Sequence, residues 1–112
     1  MHWKEEMRDI REDLKITRPA IPDVAAAFSD LAAAATQPGV LDTKTKELIA
    51  VGIGIAKQCE DCIGFHVKAA MMAGATREEI AETVGMCIYM GGGPSLMYGA
   101  KAMAAFDEYS AG

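Results

Sequence analysis

Apolar and polar positions alternate along this chain with helical rather than strand periodicity. Trp3, Met7, Ile10 and Leu14 recur at intervals of four, three and four, which lays one stripe along a helix over residues 1–16. Charged residues of both signs fill the positions between them and form a solvated face. Pro19 and Pro22 predict the end of that helix, because each fixes φ and removes an N–H donor. A second helix is expected from Pro22-Asp23 to about Ala35, burying a stripe of Val24, Ala27, Phe28, Leu31 and Ala35. Gln37-Pro38-Gly39 then reads as a turn. Asp42 is a good N-cap for a third segment that runs to about Lys57.

The centre of that third segment, Leu48 to Ile55, has the β-branched content of a strand, and Gly52 and Gly54 each cost a helix about 1 kcal/mol relative to alanine. No other stretch offers a partner strand, and an isolated strand leaves its backbone groups unpaired, so the segment reads as a helix. It is apolar nearly all round and is expected to be central. A fourth helix spans about Glu60 to Ala73, with Gly74 as its C′ residue. A fifth opens on the capping box Thr76-Arg77-Glu78-Glu79 and reaches about Met90, where Gly91-Gly92-Gly93 interrupts. Pro94 suits the first turn of a last helix carrying Leu96, Met97, Ala100, Met103, Ala104 and Phe106. The pattern predicts an all-α, single-domain bundle of about six helices over residues 1–112.

Composition narrows the class of function. The 112 residues are 51% hydrophobic and 24% charged, a globular balance, and the net charge of −5 argues against nucleic acid or an anionic membrane surface as partner. No apolar run is long enough to span a bilayer, and the charged start MHWKEEMRDIRED has no apolar core of a signal peptide. A cytoplasmic protein is expected. Alanine-rich apolar helices in so short a chain predict self-association into a homo-oligomer.

Chemistry concentrates in ELIAVGIGIAKQCEDCIGFH, residues 47–66. Cys59 and Cys62 form a C-x-x-C pair, and His66 follows Cys62 at i+4 on one helical face. In a reducing compartment such a pair points to redox catalysis or a metal site rather than a structural disulfide. If the third and fourth helices form a hairpin about Lys57-Gln58, Glu47 lies within one turn of His66. A carboxylate on the far nitrogen of His66 would fix its tautomer, and the imidazole and a helix N-terminus would both favour a thiolate. A second thiol lets a sulfenic acid condense to a disulfide, which an external dithiol resets by exchange. Cys87 lies on an apolar stripe with Ile80, Val84 and Ile88 and reads as a buried structural thiol.

The stretch LDTKTKELIAVGIGIAKQCEDCIGFHVKAAMMAGATREEIAETVGMCIYMGGGP, with Glu47, Cys59, Cys62 and His66 at their spacing, resembles the carboxymuconolactone decarboxylase family, in its alkylhydroperoxidase D-like branch. The resemblance covers about residues 40–105 and leaves residues 1–39 as preceding helices. It implies an all-α trimer or hexamer that reduces peroxides through a cysteine pair, with no metal or flavin cofactor. By the same resemblance Cys62 is the peroxidatic cysteine, Cys59 the resolving one, and Glu47 with His66 the proton relay. A small-molecule peroxide and an external dithiol or reductase protein are the implied partners.

The chain departs from that pattern at Asp61, where better-studied members carry histidine or tyrosine. Asp61 and Glu60 are expected to raise the pKa of the thiols by like-charge repulsion, which weakens peroxide chemistry but leaves disulfide exchange open. Two other readings stand beside the redox one. Cys59, Cys62, His66 and Glu47 are donor types that zinc accepts. His66 and Glu47 could also serve a lactone-type, non-redox enzyme as acid and base.

Overall fold

Residues 2–112 are described by a computed structural model. They form six helices: α1 (Trp3–Ala20), α2 (Pro22–Thr36), α3 (Thr43–Ala56), α4 (Glu60–Met72), α5 (Arg77–Gly91) and α6 (Gly93–Ser110). Among the described residues there is no strand, and no helix is long and apolar enough to cross a membrane. The core gathers Trp3 and Met7 of α1, Val51 and Ile55 of α3, Ile63 and Val67 of α4, Ile80 of α5, and Ala102, Ala105 and Phe106 of α6. The α3–α4 hairpin and the α5–α6 pair pack on each other, with α1 laid across α4 and α6.

Several helix ends follow directly from their residues. Asp42 caps α3 by accepting the Thr45 amide at 2.8 Å. Thr76 and Glu79 close a reciprocal capping box at the start of α5. Gly74 takes φ +97° just past α4, a conformation in which a side chain would be strained. α1 is capped from a distance: the Glu108 carboxylate of α6 accepts the amides of Trp3 and Lys4 at 3.1 and 3.0 Å. That bond fixes where α1 starts and therefore how it lies over α4. Trp3, at the start of α1, is 1% exposed.

Three expectations are corrected. α1 does not stop before Pro19 but runs through it to Ala20. Proline's φ is compatible with a last helical turn, and the break falls at Ile21, which precedes Pro22 and leaves the helical region at φ −135° and ψ 59°. The Val24–Phe28–Leu31 stripe of α2 is not buried; these side chains are 64%, 69% and 62% exposed. α2 packs chiefly on α1 and α3, and its apolar face stays largely exposed among the described residues. Finally, α3 is central but not covered all round, since Ile49 and Ile53 lie on the surface while Val51 and Ile55 are fully buried.

Candidate functional site

The α3–α4 hairpin builds the site. Its turn passes through Gln58, a non-glycine residue at φ 57°, and Cys59 then serves as N-cap of α4. The two helices approach closely at Gly54, where a Cβ would just reach van der Waals contact, 3.4 Å from Cβ of Cys62. The backbone is tied at the same point, with the Cys59 amide donating to the Gly54 carbonyl at 3.0 Å.

Cys59 and Cys62 are joined as a disulfide, with Cα atoms 5.2 Å apart. The Cys62 amide, at the start of α4, donates to Sγ of Cys59 at 3.2 Å. This is the N-terminal end of a helix, where backbone N–H groups stabilise negative charge on sulfur. Glu47 is carried by α3 into the interior, where it is 8% exposed, and its Oε1 lies 2.7 Å from Nδ1 of His66. A carboxylate only accepts, so Nδ1–H is the donor and Nε2 of His66 is left free. His66 itself is partly open, its side chain 38% exposed.

Cys62 and His66 both face a cleft of about 620 Å³ between α4 and the α1–α2 pair. Leu14 of α1, Ile21 at the α1–α2 break, Val24 and Phe28 of α2 and Phe65 of α4 give it apolar walls, with Arg18 and Asp61 as its charged lining residues. Cys59 does not line it. The periodicity of α1 and α2 showed apolar faces but carried no sign that they converge on the cysteine pair, so this cleft was not visible in the sequence.

Acidic residues surround the disulfide. Glu60 is balanced by Lys101 at 3.5 Å and faces His2 at 3.8 Å. Asp61 has one carboxylate oxygen buried without a hydrogen-bond partner among the described residues. Partial burial, and then the neighbouring Glu60 and Asp61 charges, raise the pKa of Glu6 above the ordinary glutamate range. The negative field expected from Glu60 and Asp61 is therefore present and partly neutralised.

Cys87 lies apart from this group. Gly52, two residues before Gly54 and so pointing to nearly the opposite side of α3, faces Cys87 rather than Cys62. Cys87 is only half-buried, contrary to expectation, and lines a second apolar cleft of about 450 Å³ with Leu48, Ile49, Met86 and Met90. Its thiol bonds to the Gly52 carbonyl at 3.6 Å, and burial pushes its pKa up, away from the reactive thiolate. Among the described residues no group of three or more His, Cys, Asp or Glu side chains is arranged to hold a metal ion.

Comparison with known proteins adds to this geometry. Residues 22–105 match the model of the carboxymuconolactone decarboxylase family, a region that takes in α2 as well as the cysteine-bearing hairpin. A protein of unassigned function from Cupriavidus necator is 42% identical over 108 residues, covering 96% of each chain. The crystal structure of an apo carboxymuconolactone decarboxylase family protein from Legionella pneumophila superposes with a TM-score of 0.93 at 52% identity, over 96% of each chain. A family member from Thermotoga maritima, for which involvement in an antioxidative response has been suggested, gives a TM-score of 0.84 at 27% identity, over 95% of this chain and 91% of its own. The chain belongs to the carboxymuconolactone decarboxylase family.

Proposed function

We propose that this protein is a thiol-dependent peroxidase and disulfide oxidoreductase of the alkylhydroperoxidase D-like branch, cycling Cys59 and Cys62 between dithiol and disulfide. The observation that carries this reading is the placement of Cys62 and His66 on one apolar cleft, with Glu47 bonded behind His66 and Cys59 bonded behind Cys62.

Each residue then has a role. His66, held through Nδ1 by Glu47, takes the proton of the Cys62 thiol on Nε2, directly or through water. The Cys62 thiolate attacks the outer oxygen of a hydroperoxide, the O–O bond breaks, and the alkoxide leaves as an alcohol carrying that proton. Cys62 is now a sulfenic acid. Cys59, whose thiolate the helix N-terminus favours, attacks the Cys62 sulfur, expels water and closes the disulfide. An external dithiol, small or carried on a reductase protein, exchanges with that disulfide and restores both thiols while becoming a disulfide itself. A reducing compartment such as the cytoplasm would supply it. No step calls on a metal or a flavin.

Homo-oligomeric assembly belongs to the same reading. Outside the Cys62 cleft, Ile49, Ile53, Met86, Tyr89 and Met90 are all exposed and offer an apolar surface for a second copy of the chain.

Peroxide turnover coupled to a dithiol tests the proposal. Cys62→Ser should abolish it, and Cys59→Ser should trap a sulfenic acid on Cys62. A Cys59→Ser variant with normal turnover would remove the two-cysteine mechanism. Activity that survives alkylation of both thiols would favour acid–base chemistry by His66 and Glu47 alone.

A further inference from the structure

The cleft in front of Cys62 has a polarity of its own. Arg18 and Asp61 are the charged residues that line it, and the rest of the lining is mainly apolar. They sit at different ends. Glu6, one turn into α1, lies close enough to Asp61 that, after burial and Glu60, the Asp61 charge raises its pKa, whereas Arg18 lies in the last turn of the same helix. Glu6 and Arg18 are therefore separated by about 18 Å along α1 at a rise of 1.5 Å per residue. Asp61 is adjacent to Cys62, so the reactive sulfur is at the acidic end and the guanidinium marks the far end.

Arg18 is also available. Of the other basic residues on this stretch of α1, Arg11 lies over the Phe65 ring and Lys15 pairs with Glu12. Among the described residues no carboxylate lies within ion-pair distance of Arg18. Thr17 beside it already donates its hydroxyl to the Asp13 carbonyl. The guanidinium thus stands over an apolar channel with its donors unused by side-chain carboxylates.

We propose that Arg18 makes this cleft selective for single-chain ligands that end in a carboxylate, and so directs carboxylated organic hydroperoxides toward Cys62. A guanidinium forms charge-assisted bonds with a carboxylate and fixes its orientation. Leu14, Ile21, Val24 and Phe28 bury the alkyl chain, and Asp61 repels a second anionic group from the reactive end. The ligand enters in one sense only, carboxylate at Arg18 and peroxide group at Cys62. This inference rests on Cys62 being the group that reacts.

The test reads binding separately from chemistry. Decanoate and its methyl ester are titrated by calorimetry, below their aggregation limits, into the wild-type protein, Arg18→Gln and Arg18→Lys. Arg18 is exposed, so these variants should fold as the wild type does. The wild type should bind decanoate about tenfold more tightly than the ester, which is about 1.4 kcal/mol. Arg18→Gln should bring the two affinities together by weakening decanoate alone, and Arg18→Lys should keep part of the preference. Equal affinities in the wild type, an unchanged preference in Arg18→Gln, or no binding of either ligand would overturn the inference. Arg18-dependent binding of decanoate without any peroxide turnover would uphold the selectivity and reject the redox reading instead.

Discussion

Glu47 and His66, on neighbouring helices and 19 positions apart in sequence, meet at 2.7 Å between Oε1 and Nδ1. The Glu47 side chain is almost wholly enclosed while the imidazole reaches the cleft, so a buried group orients a partly exposed ring. Glu47→Gln keeps an acceptor for Nδ1–H but removes the charge. Oxidation of reduced Cys62 by peroxide, followed by stopped-flow, should slow by about a hundredfold, as for loss of an effective general base. His66→Ala should slow it at least as much. A rate unchanged in both variants would take the pair out of the mechanism.

The link between Glu108 and the start of α1 should be visible as pH dependence. The Lys4 amide foremost, and the Trp3 amide with it, hold the Glu108 carboxyl down to about 2 from an ordinary 4.5. Because the folded value is the lower one, the ionised form favours the folded state. The stabilisation is fully present above 4.5 and is lost as the pH falls toward 2. Glu108→Gln should lower the urea midpoint at neutral pH and flatten its fall through that acid window. An acid limb as steep as that of the wild type would contradict the cap.

Gly64 is where α1 crosses α4. A Cβ there would come within 2.5 Å of Met7 Cε and 3.2 Å of the buried Trp3 ring, so Gly64→Ala should cost about 1–3 kcal/mol in denaturant unfolding. Gly85, in the middle of α5, has nothing within 4 Å of a Cβ, and Gly85→Ala should instead stabilise by about 0.5–1 kcal/mol. The two substitutions share the same helix-propensity gain, so their difference isolates the packing at the crossing.

Light scattering tests the assembly. The wild type should run as a homo-oligomer, and Met90→Lys, at a side chain 78% exposed beside Met86 and Tyr89, should lower its mass. A wild-type protein that is monomeric at micromolar concentration would contradict the assembly.

The sequence was most informative where the controlling interaction is local. The Thr76–Glu79 box and the Asp42 cap follow from residues three apart, and Gly74 from its place after an apolar run. The meeting of Glu47 with His66 was legible because a short hairpin turn near Lys57-Gln58 fixes which positions face each other. Long-range placement was not legible. The Glu108 cap joins the two ends of the chain, and nothing in the residues around Trp3 announces it. Periodicity showed that α2 has an apolar face but not what covers it, so Val24, Phe28 and Leu31 were expected inside. The same blindness hid the cleft, which exists only where α1 and α2 lie over the face of α4 that carries Cys62 and His66. The roles of the site residues are chemistry that neither periodicity nor distance supplies.

The most direct measurement of the central claim is mass spectrometry of fully reduced protein after brief exposure to near-stoichiometric hydroperoxide, with remaining thiols blocked by alkylation and peptides mapped. A Cys59–Cys62 disulfide should form rapidly while Cys87, its thiol held protonated by burial, remains free and alkylated. Cys59 and Cys62 that stay reduced and alkylatable under these conditions would contradict that claim.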